Sequence, residues 1–128
     1  MKYFFDNCIS YKLSNMLRAL DVDAEALRER FPPNIKDLAL FPQLQGQRNF
    51  TLISVDTSQL TRDTEARELR RTGIRALYFE PFFQKRKFWQ QAVWLLNKWH
   101  LISGFAEGSM PGTIAAIKQN GKADPYRF

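Results

Sequence analysis

The chain has 128 residues, 45% of them hydrophobic, with 11 Phe, 4 Tyr and 3 Trp, which fits one domain with a single core and excludes a disordered chain. No apolar run approaches the roughly 20 residues that cross a bilayer, nothing at the start has the layout of a signal peptide, and the single cysteine, Cys8, permits no internal disulfide. The net charge of +6 is uneven, with seven basic and seven acidic side chains in residues 1–61 but twelve and six in residues 62–128.

These bounds point to a cytoplasmic protein away from membranes, with Cys8 as a reduced, packed thiol. A basic half beside a few inward carboxylates suits a polyanion partner. Simple solubility explains the same charge, and composition does not choose between them.

Met1-Lys2-Tyr3-Phe4-Phe5-Asp6 opens the chain with an apolar run that ends in a lone carboxylate. Such a run, without helical spacing, predicts a strand buried on both faces. Asp6 then stands at the strand's carboxyl end, where a parallel sheet opens a crevice for ligands. The alternative is that Asp6 caps the next helix. Apolar residues at 9, 13, 16, 17 and 20 predict that helix over residues 11–20. Residues 22–30 read as either strand or helix, and a parallel fold calls for a strand. Phe31-Pro32-Pro33 is a stop.

Asn34 is the expected cap of a helix over 35–44, with Asp37 in its first turn and Pro42 kinking it. Residues 46–49 make a turn into a strand at 50–55, where Thr51-Leu52-Ile53-Ser54-Val55-Asp56 repeats the grammar of the opening. A charged helix follows over 59–72, with an Asp63–Arg67 pair and Gly73 at its end. Residues 74–79 form a third strand.

The longest helix is expected over 84–102, burying a face of Phe88, Trp89, Ala92, Val93, Leu96 and Trp99. Lys85, Arg86 and Lys87 then crowd its first turn, against the helix dipole. His100 reads as a polar residue near the helix end. Residues 105–128 read as an irregular tail with one short helix near Ile114, after a folded unit of residues 1–104. The whole pattern is α/β: a small parallel sheet with helices on both faces.

The sequence has no glycine-rich phosphate loop, no cysteine pair for zinc and no nucleophile elbow. Carboxylates remain, and a site of carboxylates suits a hard cation such as Mg²⁺ or Mn²⁺. Such ions activate water and stabilise charge during phosphodiester hydrolysis. Asp6 and Asp56 share a sheet edge if their strands are neighbours, and Asp37 starts a helix on that edge. For Asp37 the alternative is a helix-dipole role.

The order Tyr3-Phe4-Phe5-Asp6-Asn7, Leu17-Arg18-Ala19-Leu20, Leu27-Arg28-Glu29-Arg30-Phe31-Pro32-Pro33, Asp37 and Leu52-Ile53-Ser54-Val55-Asp56 resembles the PIN-like domains. It is most similar to the compact bacterial branch grouped with VapC-type toxins of toxin–antitoxin pairs. Arg62 and Glu65, followed by Leu69 and Gly73, resemble that branch's charged helix. The resemblance covers residues 2–80 well and 81–102 loosely. It departs at Pro33-Asn34-Ile35-Lys36-Asp37-Leu38, where relatives carry a further acid beside the one at Asp37.

The resemblance implies a three-layer α/β/α fold and a metal-dependent endoribonuclease with Mg²⁺ or Mn²⁺ at Asp6, Asp37 and Asp56. Asp6 and Asp56 would bind the ion, and Asp37 would bind it or orient the attacking water. Asn7, Ser10 and Arg62 are the expected contacts to the scissile region. Lys85, Arg86 and Lys87 are expected to hold the RNA backbone without regard to sequence. Core packing is the expected role of Phe88 and Trp89, with base stacking the alternative. The expected partners are RNA, then a cognate antitoxin protein or a second copy of the chain. A binding module without catalysis and a DNA-directed nuclease are the alternative functions.

Overall fold

The computed structural model describes residues 1–47 and 49–126; Arg48 of the expected turn and the last two residues of the expected tail lie outside them. The described strands are β1 (Lys2–Phe5), β2 (Ala24–Ala26), β3 (Phe50–Ser54), β4 (Ala76–Phe79), β5 (Ile114–Ile117) and β6 (Ala123–Pro125). They form one sheet in the order β2-β1-β3-β4-β5-β6. Every pair from β2 to β5 is parallel, and β6 runs antiparallel on β5. The described helices are α1 (Tyr11–Ala19), α2 (Asp37–Gln45), α3 (Ser58–Thr61), α4 (Asp63–Thr72) and α5 (Phe88–Gly108), with a 3-10 turn at Leu27–Glu29.

Strand alternation divides the core in two. Tyr3, Phe5, Ile53, Leu77, Phe79, Ala115 and Ile117 face α1 and α5, packing with Leu13, Leu17, Trp94, Leu95 and Ile102. Phe4, Leu52, Ala76, Tyr78 and Ile114 face α2 and α4, packing with Leu40, Phe41, Leu44 and Leu69. Helices therefore cover both faces of the sheet, giving the expected three-layer α/β/α architecture. Burial on both faces explains why the inner strands read as continuous apolar runs.

β1 lies between β2 and β3, so the chain leaves it first to one side and then to the other. This is the topological switch of an open α/β sheet, and the crevice beyond the strands' carboxyl ends is the usual ligand position. α1, α2 and α5 all begin at that edge, because each enters a crossover to a parallel strand.

Several expected elements are corrected. Among the described residues, 105–126 are not an irregular tail after a unit ending at residue 104. α5 runs on to Gly108, and Ile114–Ile117 is a strand paired in register with Ala76–Phe79, not a short helix. Four apolar residues carry no period, and pairing with β4 decided their state. The helix over 35–44 is instead Asp37–Gln45, with Lys36 at its N-cap and no side chain capping it, so Asn34 is not the cap. The helix over 59–72 breaks at Arg62, whose backbone is extended. The Asp63–Arg67 pair gives way to Arg62–Glu65 at 3.7 Å and Glu68–Arg71 at 2.6 Å.

α5 begins at Phe88, later than expected, so Lys85 and Arg86 precede it and Lys87 is its N-cap. Lys87 still stands at the positive end of the helix dipole, which favours an anion beside it. Its buried face is also different: Trp94, Leu95, Ile102 and Ala106 are buried, whereas Phe88, Trp89, Val93 and Leu96 are exposed. Apolar residues surround this helix, so their spacing alone cannot choose a face. His100 is exposed within the helix, well before its end. No helix among the described residues is long and apolar enough to cross a membrane.

Candidate functional site

Parallel pairing of β1 with β3, Phe5 opposite Ile53, brings Asp6 beside the end of β3. Asp6 does not cap α1. That role belongs to Ser10, whose hydroxyl accepts from the Lys12 N–H at 3.2 Å and is thereby committed to the helix. Asp6 Oδ2 instead accepts from the Ser54 hydroxyl at 2.8 Å and from Gln59 Nε2 at 3.1 Å, and Oδ1 accepts from the Asn7 N–H at 2.8 Å.

Gln59 is the centre of the cluster. It is 1% exposed. Its Nε2 also donates to Asp37 Oδ1 at 3.1 Å, so one amide joins two carboxylates. The buried Tyr78 hydroxyl donates to Gln59 Oε1 at 2.8 Å, which fixes the amide's orientation. Burial, then Asp6, Asp37 and Asp56, hold the Tyr78 phenol well above its ordinary range, so it remains a donor.

Asp56 is joined to the same cluster through Ser54, whose hydroxyl oxygen accepts from the Asp56 N–H at 3.0 Å. The Asp56 carboxylate turns to the start of α3. Its Oδ1 accepts from the Ser58 N–H at 3.2 Å and from the Ser58 hydroxyl. Asp56 thus anchors the short helix that carries Gln59.

Asp37 feels the cluster most. Its carboxyl is pushed up to about 6, first by burial, then by Asp6 and Asp56; the Gln59 hydrogen bond opposes this and Glu65 adds to it. Asp37 and Glu65 line a pocket of about 300 Å³ with Ile35, Lys36, Leu38 and Arg62. Arg62 thus lines the same pocket as Asp37, with its guanidinium 3.7 Å from Glu65. A pocket of about 200 Å³ at the opposite edge, between Phe50, Gly73 and Arg75, contains none of these acids.

Asn7 Nδ2 donates to the Pro33 carbonyl at 3.3 Å, tying the loop after β1 to the Pro-Pro segment before α2. Its Oδ1 is buried without a hydrogen-bond partner. Cys8, expected to be packed, is an exposed residue whose sulfur lies 3.5 Å from Ser54 Oγ. Desolvation of the sulfur, then the Asp6 charge, push the thiol up to about 11, so it stays protonated. Lys85 and Lys87 are exposed on the α5 side of the edge, and Arg86 lies 5.5 Å from the Phe82 ring centroid.

Among the described residues, no three His, Cys, Asp or Glu side chains are gathered closely enough to hold an ion by themselves. Asp6 and Asp37 nevertheless stand close together, both accepting from the Gln59 nitrogen that fills the point between them, and each keeps a second carboxylate oxygen for an ion. Two carboxylates are a sufficient protein share for Mg²⁺, which keeps several waters. The donor chemistry fits that ion.

Ser54, Gln59, Tyr78 and Glu65 are the members that sequence reasoning left out of the site. Ser54 had a signal as part of the strand that ends in Asp56, and Glu65 as part of the charged helix. The profile of a family described as a PIN like domain matches residues 1–81, the segment that carries every acid of this cluster. No curated protein and no solved structure shows a significant match to the chain.

Proposed function

Since the chain belongs to the PIN-like domain family, whose members are commonly nucleases, we propose that it is a Mg²⁺- or Mn²⁺-dependent endoribonuclease. The observation that supports this reading is that Asp6 and Asp37 are brought together at the topological switch, close enough to share one amide donor. Asp6 and Asp37 hold the ion. A bound divalent cation would activate water and stabilise charge on the phosphoryl oxygens.

The chain's own groups do the positioning. Ser54 holds Asp6 Oδ2, Gln59 aligns Asp6 with Asp37, and Tyr78 keeps the amide from turning over. Asp56 anchors the helix that carries Gln59 and adds negative charge to the site. Arg62 contacts a phosphate from the pocket beside Asp37. A role as the toxin of a toxin–antitoxin pair, restrained by a cognate antitoxin, fits this activity.

One observation favours a second reading, a nucleic-acid-binding module without catalysis: an uncharged amide, not a further acid, stands between Asp6 and Asp37. End-labelled unpaired RNA incubated with Mn²⁺ or with EDTA decides between them. Cleavage by wild type that needs Mn²⁺ and is lost in Asp6→Asn supports the nuclease. Binding without cleavage in Mn²⁺ supports the module, and cutting of DNA alone supports a DNA-directed enzyme.

A further inference from the structure

Three aromatic side chains stand in solvent at the edge that carries the acids. Tyr11 is 41% exposed, Phe88 46% and Trp89 62%. Tyr11 is the first residue of α1, and Phe88 and Trp89 are the first two of α5. Both helices start beyond the carboxyl ends of β1 and β4, so their N-terminal dipoles favour anions there.

Cations alternate with these rings. The Arg28 guanidinium lies 5.1 Å from the Tyr11 ring centroid, and Lys12 Nζ lies 5.9 Å from that of Phe88. Lys12 follows Tyr11 in the chain, and Lys87 precedes Phe88. Arg28, Tyr11, Lys12 and Phe88 thus form one strip that passes the start of α1, just after Asp6, with the exposed Trp89 next to Phe88 in the chain. Among the described residues, no acid lies within ion-pair distance of Arg28, Lys12 or Lys87.

Open rings interleaved with unneutralised cations match an unpaired strand: bases stack on the rings and phosphates meet the charges. A duplex has no free base faces to offer them. We propose that this strip is the track along which an unpaired RNA strand lies on its way to Asp6, with Tyr11, Phe88 and Trp89 as stacking platforms. The proposal rests on the nuclease reading for its direction of travel, and it extends that reading to a strand-selecting surface.

The test measures fluorescence anisotropy of a short labelled oligouridine in EDTA, with Mn²⁺-dependent cleavage assayed in parallel on the same proteins. Tyr11→Ala and Phe88→Ala should each weaken binding about ten-fold, as expected for loss of one base–aromatic stack. Trp89→Phe should stay near wild type while Trp89→Ala weakens. Lys12→Ala should flatten the dependence of log Kd on log salt by about 0.7, the share of one phosphate contact on a single strand. A duplex RNA of equal length should bind the wild type and the aromatic variants alike.

Unchanged oligouridine affinity in the aromatic variants overturns the proposal, as does a wild type that binds no oligouridine. A drop in molecular mass for Trp89→Ala by light scattering, with affinity unmoved, also overturns it and makes the strip a contact between copies. The two readings fail separately. Cleavage with indifferent variants removes the track and keeps the nuclease, whereas weakened variants without any cleavage keep the track and remove the nuclease.

Discussion

Tyr78 donates its hydroxyl hydrogen to Gln59 Oε1 at 2.8 Å, and this bond decides which end of the Gln59 amide faces the carboxylates. Reversed, the amide would turn its oxygen toward Asp6 and Asp37. Tyr78→Phe should therefore cost about 1–2 kcal/mol in urea unfolding with EDTA present. Gln59→Leu, which strips both carboxylates of their donor, should cost about 2–3 kcal/mol. Mn²⁺ should recover more stability in Gln59→Leu than in wild type. A Gln59→Leu protein as stable as wild type in EDTA would mean the amide holds nothing.

Asp37 makes a pH signature. Its carboxyl is raised from an ordinary 3.8 to about 6, so the folded protein binds its proton more tightly than the unfolded chain. The protonated form carries no penalty. Stability without metal should thus fall as pH rises from about 4 to about 6 and stay low above that. The side chain is partly exposed, and solvent screening keeps the loss to about 1–2 kcal/mol. Asp37→Asn should abolish this slope and be the more stable protein at pH 7. Parallel pH profiles for the two proteins in urea titrations would remove Asp37 as the source.

Asp6 and Asp56 should separate in a thermal melt. Mn²⁺ in about hundred-fold excess over its Kd adds about 2.7 kcal/mol to a protein that binds it when folded. Wild type should show that gain as a midpoint several degrees higher, and Asp6→Asn should not. Asp56→Ala should lose about 1 kcal/mol in EDTA with its hydrogen bonds to Ser58 while still responding to Mn²⁺. An Asp56→Ala protein blind to Mn²⁺ would instead place Asp56 among the ligands.

Gly73 ends α4 in the left-handed region, at φ 67°. A Cβ there meets no atom within 4 Å, so Gly73→Ala isolates the backbone cost. The expected loss is about 1 kcal/mol, with Gly73→Asn smaller, in the same urea titration. Equal stabilities would contradict the left-handed cap.

The frame of the site was legible because parallel strands advertise themselves. Phe4, Phe5, Leu52 and Ile53 are apolar on both faces, and a carboxylate just past such a run lies at a sheet edge. Asp6 and Asp56 followed from that rule, and their adjacency followed from β1 pairing with β3. Gln59 was not legible: a glutamine opening a charged helix looks solvated until the fold turns it between Asp6 and Asp37. Phe88 and Trp89 misled for the converse reason, since α5 has more apolar positions than the sheet can cover. Ile114–Ile117 was ambiguous at four residues, and only its neighbour β4 made it a strand.

The hydrogen bonds that join Asp6, Asp37, Ser54, Gln59 and Tyr78 to one another across elements all link residues at least 19 positions apart. The cluster therefore cannot form in any growing chain that ends before Tyr78. Its parts meet only after β3 has docked beside β1, a long-range pairing that folds slowly compared with local structure. The acids of the site therefore stay apart in the chain until β1 and β3 have paired.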